Sequence, residues 1–479
     1  MEIIMRVFMR VLAVILAAVQ MIASFLFGAE IHSITVQAQR QYQIFEGFGT
    51  SAAWWAQHIE CEDLAREIAR ALFCGETGLG LDVFRYNIGA GEFDNPESRI
   101  YGWFNWRRTE SFYYNGAFDF TRDANAMRML NLAMEYGATQ IILFAKSPHF
   151  THTNSGHASG GFVPYYSNHN RDYYQDFVDY MLYIADWFVE QGYPVVGISP
   201  INEPQWAWGG DWVGQEGCHY TPEEVVALME LFAVTMQQRG APFALLGPES
   251  GYMGDTDYID AFFASEILRD FVDVYSGHSY WIGRWGRWRA GRRMRRFFPD
   301  VRFEMSEWCE LPLLIDSTTI DSGIYKANVI IEDLTLLHAV NWQSWIAINE
   351  DGVMNLKAPG QTHNRPDFEN GELVFYNRYW AFKHFTRFIQ PGAARIHVRD
   401  NFWLGSRIAS VAFAQGDEVV LVMVNNAETD QSFRLRGDYR AMRIYTTCAQ
   451  RNFEQVHNGA FCETLTLPAR SVNTVVLAN

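Results

Sequence analysis

Two short acidic motifs hold the chemistry this sequence is equipped to do. Glu203 stands in VVGISPINEPQW, and Glu307 stands in VRFEMSEW about 100 residues later. Each closes a run of apolar and β-branched residues that reads as a strand, so each carboxyl belongs at a strand end. Two carboxyl groups about 5–5.5 Å apart open a glycosidic bond with retention of configuration: one protonates the departing oxygen and the other attacks the anomeric carbon. In that scheme Glu203 is the acid/base and Glu307 the nucleophile. Asn202, just before the acid, is placed to reach a sugar 2-hydroxyl, a contact that strengthens as the transition state gains oxocarbenium character. Pro204 restrains the backbone where the strand ends. A glutamate at a strand end is more often a solvated rim residue or a helix cap, so the weight of this reading rests on the pair and on the elements around it.

Those elements have a regular order. Short apolar runs at Ile44 to Ala52, Leu81 to Gly89, Gln140 to Ser147, Val195 to Ile201, Phe243 to Pro248, Val272 to Tyr280, Arg302 to Glu307 and Val340 to Ile348 read as eight strands. Segments of helical period separate them, among them CEDLAREIARAL, PEEVVALMELFAVTMQQRG and DYIDAFFASEILRDF, several opening on acids or Pro and closing on Gly. Eight strand-then-helix units predict an α/β fold, a closed (β/α)8 TIM barrel, with an open doubly wound sheet as the alternative. In such a barrel reacting groups sit at the C-terminal strand ends, and strands four and seven face each other across the mouth. After YNRYWAFKHFTRFIQPGA the pattern changes to short alternating runs such as EVVLVMVNN and SVNTVVLAN. This predicts an antiparallel β-sandwich side domain, joined by the alternating stretch before the barrel. The expected boundaries are 1–29 for a leader, 30–43 for the extra strand, 44–390 for the barrel and 391–479 for the side domain.

Composition bounds the partners. A chain of 479 residues with 49% hydrophobic and 19% charged residues buries a large core. Its net charge of -17 argues against nucleic acid, which is held chiefly through its phosphates. Aromatic residues make up 15%, including 16 Trp and 23 Tyr, and flat rings with polar edges suit sugars as well as cores. Arg6 and Arg10 precede an uncharged apolar stretch from Val11 to Gly28, the pattern of a signal peptide, with an uncleaved membrane anchor as the alternative. A secreted monomer is expected. Six cysteines form no CxxC pair, so no metal or cofactor is expected; Cys61 with Cys74 and Cys448 with Cys462 are possible disulfides, against the alternative that all are free and buried. The basic run GRWGRWRAGRRMRR reads as a solvated helix face.

Longer segments carry a resemblance. FEGFGTSAAWWA, FRYNIGAGE, AKSPHFTHTNSGHASGG, SPINEPQW with GQEGCHY, GHSYW, SEW and the closing RYWAFKHFTRFIQPGAARI together resemble glycoside hydrolase family 30, retaining barrels with a β-sandwich side domain. The resemblance covers nearly all of the chain after the leader. It implies a polysaccharide substrate and puts the acid/base on Glu203 and the nucleophile on Glu307. It further implies that Arg85 keeps the nucleophile ionised and that Tyr280 donates to it. His278 shares a face with Tyr280 two residues away. Trp345 is expected as the floor under the sugar, with Trp342 facing the other way, and Trp54 and Trp55 as rim contacts. Asn154 and Glu216 are expected in loops above the mouth, within reach of substrate hydroxyls. The run Ser147-Pro148-His149-Phe150 departs from the family's pattern, in which a second Pro and then an aromatic follow. Within the family the combination of GTSAAWWA, TNSGHASGG and NEPQW with QEGC is most similar to endo-β-1,6-galactanases, which cut galactan side chains of arabinogalactan. Other β-glycan hydrolases (a β-1,6-glucanase, a glucuronoxylanase, an exo-acting β-glycosidase) are the alternatives, followed by a carbohydrate-binding protein without turnover.

Overall fold

The computed structural model describes residues 32–211, 213–311, 315–401 and 407–478. The expected leader lies outside the described residues. The barrel strands are Gly47–Ser51, Val83–Asn87, Gln140–Phe144, Val195–Ser199, a fifth in two pieces (Ala244–Leu245 and Pro248–Ser250), Val274–His278, Arg302–Trp308 and Ala339–Ile346. Neighbours pair in parallel throughout, and the ring closes across the divided fifth strand, whose first piece pairs with strand four and whose second pairs with strand six. The open doubly wound alternative is thereby excluded. Every residue of VFRYN and VYSGH is buried, as expected for strands covered by helices outside and side chains within.

The helices follow from local signals. Pro222–Arg239 starts at a capping box in which Thr221 and Glu224 satisfy each other's backbone, and ends at Gly240 in the left-handed conformation. DYIDAFFASEILRDF, expected as one helix, is two: Asp257–Ala264 and Glu266–Phe271, because the Ser265 side chain caps the second at Leu268 N and interrupts the first. The basic run forms the helix Arg284–Phe297, but its solvated face has an exception. Arg287 is buried, donating from Nε to Asp333 Oδ1 at 2.7 Å.

Among the described residues nine strands build the side domain, in the order Arg451–Ala460, Ala441–Cys448, Ser471–Ala478, Glu418–Asn425, Ile408–Gln415, Ala394–Asp400, Ser33–Ile44, Gln431–Arg436, Thr464–Leu467. Ser33–Ile44 is antiparallel to Ala394–Asp400 and parallel to Gln431–Arg436, so the stretch before the barrel does complete this sheet. The alternation of EVVLVMVN is used on both faces. Val419, Leu421 and Met423 enter the domain's own core with Ile34, Phe433 and Leu477, whereas Val420, Val422 and Val424 join the barrel's hydrophobic core. The helix Asn377–Thr386 adds a polar anchor: buried His384 bonds both Thr474 Oγ1 and Thr447 Oγ1 at 2.9 Å.

All six cysteines are free, and Cys61 and Cys462 are exposed, so neither disulfides nor uniform burial holds. Geometry explains this. Cys61 and Cys74 flank the helix Glu62–Phe73, whose twelve residues span about 18 Å, far beyond disulfide reach. Cys448 pairs with Arg451 near the hairpin turn, while Cys462 lies past the opposite end, where Ala441 meets Ala460.

Candidate active site

The C-terminal ends of strands four and seven present the two glutamates by different backbone devices. After strand four the chain turns so sharply that Glu203 takes φ 48°, a left-handed conformation costly for a side chain of this kind. The turn is held because Glu203 N donates to Glu249 O at 2.9 Å and Trp208 Nε1 donates to Glu203 O at 2.9 Å. Gly251 makes room: a Cβ there would lie 2.6 Å from Glu203 Oε1. On strand seven Glu304 and Ser306 both point inward, and strict alternation would turn Glu307 outward. A register shift between Met305 and Trp308 breaks the alternation and returns Glu307 to the mouth.

The two carboxyls meet over a network of charge. A carboxylate oxygen of Glu203, one of Glu307 and a ring nitrogen of His278 lie within 4.8 Å of one another. Arg85 Nη1 donates to Glu307 Oε2 at 3.1 Å and Nη2 reaches Asn202 Oδ1 at 3.4 Å. Tyr280 OH donates to Glu307 Oε1 at 3.2 Å. His278 bonds Glu203 Oε1 through Nδ1 and Glu249 Oε2 through Nε2, each at 3.0 Å. Burial opposes its charge, but Glu307 and the hydrogen bonds to Glu203 and Glu249 outweigh it, raising His278 to about 10. It is therefore an imidazolium donating in both directions, with no lone pair left for a metal. Burial holds Glu307 above the ordinary carboxylate range, against the pull of His278 and Arg85.

A cavity of about 350 Å³ opens above this network, lined by Trp54, Asn202, Glu203, Trp206, Tyr280, Trp281, Glu307 and Trp345 among others. Trp345 continues the inward series of Asn341 and Gln343, and its ring stands edge-on to Trp54 with centroids 5.2 Å apart. Trp342 points outward, donating to Asp333 Oδ2 at 3.0 Å. Beneath the two cavity rings lies Lys146, its Nζ 3.6 Å from the Trp54 centroid, and burial keeps this amine well below its usual range.

Of the residues singled out from sequence, Glu203, Glu307, Asn202, Tyr280, Trp54 and Trp345 line this cavity, and Arg85 and His278 lie directly under it. Three others are elsewhere. Trp55 is fully buried with its indole N–H on Ser51 O at 3.0 Å, because strand one ends inside the core and only one of two adjacent rings can face the mouth. Asn154 is exposed and spends its amide on Ser167 O, bracing its own loop. Glu216 is wholly buried, takes the Thr109 hydroxyl, and is raised by burial to about 7. In the departing run at strand three, buried His149 caps the short helix Phe150–His152 and does not line the cavity. The residues that sequence missed include Trp206 and Trp281 in the cavity lining and Glu249, the last of these one position beyond the expected end of strand five. Glu249 is buried, and its Oε2 accepts from Arg85, from His278, and from Ser306 Oγ at 3.2 Å. The strand-end rule that found the other two acids would have found it had the strand been extended by one residue.

A closed barrel with facing glutamates at strands four and seven and a β domain packed on its helices is the architecture of a glycoside hydrolase. The profile of O-Glycosyl hydrolase family 30 matches residues 31–278, more than half of the chain, and the chain belongs to that family. It is an O-glycosyl hydrolase. Among curated relatives it is similar to an endo-beta-1,6-galactanase of Hypocrea rufa, 25% identical over 350 residues that make up 67% of this chain and 68% of that protein. Among solved structures it is similar to a conserved exported protein from Bacteroides fragilis, with a TM-score of 0.85 and 25% identity, covering 93% of this chain and all of that one. The catalytic domain of the GH30 xylanase C from Talaromyces cellulolyticus shares the fold at a TM-score of 0.71 and 20% identity, covering 93% of this chain and 100% of that chain. Among the described residues no helix is long and apolar enough to cross a membrane.

Proposed function

We propose that the protein is an exported, retaining endo-hydrolase of β-1,6-linked galactan, with Glu307 as nucleophile and Glu203 as acid/base. The observation that carries the mechanism is the charge count around the pair. Arg85 and His278 supply two positive charges and Glu203, Glu249 and Glu307 three carboxyl groups, so the site is neutral when one of the three holds a proton. Glu249 accepts from Arg85, His278 and Ser306, and Glu307 from Arg85 and the Tyr280 hydroxyl, which leaves Glu203, whose carboxyl is bonded to His278, as the group placed to act as the acid.

In the first step Glu307 attacks the anomeric carbon as the bond to the leaving oxygen breaks, and that oxygen takes the bonding pair together with the Glu203 proton. The ester formed removes one negative charge from the site and the departed proton removes one positive charge, so the site stays neutral. In the second step water attacks the same carbon, its proton returns to Glu203, and Glu307 leaves as an anion. Neither step builds up net charge in a buried place, where it would be costly.

The galactan assignment draws on the Hypocrea rufa relative and on the motifs that resemble its branch. Endo action is supported by Trp281, an exposed ring at the edge of the cavity that offers stacking surface beside the cleavage point. Export is supported by the charged-then-apolar N-terminus, and a monomer is sufficient because one chain supplies every group of the site. The test is purified enzyme against β-1,6-galactan, β-1,6-glucan and glucuronoxylan, with product sizing. Galactan cut into short oligosaccharides is expected; inactivity on galactan with turnover of another polymer would overturn the substrate, and release of single sugars from one end would overturn endo action.

A further inference from the structure

Glu249 is a buried acid that the two-carboxyl mechanism does not use, yet it touches more of the site than either reacting group. Its Oε2 is shared by the guanidinium of Arg85, the Nε2–H of His278 at 3.0 Å and Ser306 Oγ at 3.2 Å. Its main-chain oxygen receives the N–H of Glu203 at 2.9 Å, so one residue braces both the backbone of the acid and the cations beside the nucleophile. It does so from a left-handed backbone, φ 52°, which costs energy for a non-glycine residue and persists only where surrounding contacts impose it.

We infer that Glu249 is a positioning residue for hydrolysis: it anchors Arg85 and His278 between the catalytic glutamates and supplies the negative charge that balances these two cations beside Glu203 and Glu307. The inference rests on the roles proposed for Glu203 and Glu307. The groups facing it are Arg85 from strand two, Glu203 from strand four through His278, His278 itself from strand six, and Glu304 and Glu307 from strand seven. Glu304 lies deeper, receives Gln343 Nε2 at 2.7 Å, and is raised by burial to about 8, so it adds no charge well below that pH. Lys146, which burial holds well below its usual range, has its Nζ over the Trp54 and Trp345 rings, 3.6 and 4.3 Å from their centroids, and not on Glu249. With Glu249 removed from the count, Arg85 and His278 exceed the remaining anion by one, and Glu203 releases its proton more readily.

The test is the pH dependence of kcat/KM for Glu249→Gln, measured on whichever of β-1,6-galactan and β-1,6-glucan the wild type cleaves, so that a wrong sugar does not affect it. The alkaline limb is expected to move toward acid by about 1–3 pH units, the effect of losing one charge at this range. His278→Gln removes a positive charge and is expected to move the same limb toward alkali. The double variant restores the balance, so its limb returns toward the wild-type position. Limbs unmoved in Glu249→Gln, whatever its kcat, would reduce the residue to a structural support and overturn the inference. Should Glu249→Gln fail to fold, the charge-balanced double variant decides: a limb at the wild-type position supports the inference and a displaced one overturns it. Failure of the underlying reading looks different, since it would leave Glu203→Gln or Glu307→Gln active.

Discussion

Arg85 and Arg287 are both buried arginines of the barrel, and they keep different company. Arg287 donates to Asp333 and to the Ser279 carbonyl at 3.2 Å, with Glu332 shared between it and Arg284, two cations against two anions. Asp333 is closed off as well, since its other oxygen accepts from Ser279 Oγ at 2.9 Å and from Trp342 Nε1 at 3.0 Å. Nothing there is left to give up a proton. Around Arg85 the acids outnumber the cations by one, and the surplus group sits at a cavity open to substrate. A buried charge cluster that balances without a bound proton holds structure together, while one that balances only by holding a proton has something to transfer.

The comparison breaks most visibly under substitution of one acid in each cluster. Glu307→Gln is expected to abolish turnover beyond the roughly 10²–10⁴-fold loss typical of removing a general acid, with the fold intact by circular dichroism. Asp333→Asn is expected to leave kcat per folded molecule near wild type and to cost about 3–5 kcal/mol in denaturant unfolding, as breaking a buried pair does. If Asp333→Asn lost turnover without losing stability, the two clusters would not differ in kind.

Titration sharpens the same contrast. Glu307 must be ionised to attack and is held above its usual value, so the acid limb of kcat/KM is expected above pH 4.5. His278 is raised from 6.5 to about 10, so the stability it contributes is complete below pH 6.5 and is lost as pH rises toward 10. Thermal melts across that window should show a decline that is smaller in His278→Gln; an equal decline in both proteins would remove His278 as its source.

Smaller effects separate the cavity rings from the core rings. Trp345→Ala is expected to raise KM about tenfold by removing a stacking surface worth roughly 0.5–1.5 kcal/mol beyond its area, whereas Trp55→Phe should alter melting temperature and leave KM alone. Trp281→Ala, at an exposed rim position, is expected to weaken cleavage of long chains severalfold and to leave short oligosaccharides nearly unaffected. Equal loss on both lengths would place Trp281 at the cleavage point.

What the sequence could reveal followed period and position. The eight barrel strands were legible because strands buried on both faces are short, apolar and regularly spaced, and the acids at their ends followed from the rule that barrels react at C-terminal strand ends. Arg451–Ala460 was not, since its residues are nearly all exposed and carry no apolar alternation; it is an edge strand held by backbone pairing with Ala441–Cys448. Trp54 and Trp55 differ by one residue, and only the course of the chain after strand one decides which of them meets the cavity.

By itself, then, the sequence determined the barrel, the domain beside it and the two glutamates, because each is written in local pattern. The tertiary structure decided three things that depend on contacts across 29 to 222 residues of chain: that His278 holds a proton between Glu203 and Glu249, that Arg85 serves two acids at once, and that the pair rests on a third carboxylate. Charge state is set by what surrounds a group in space, and no spacing along the chain records it.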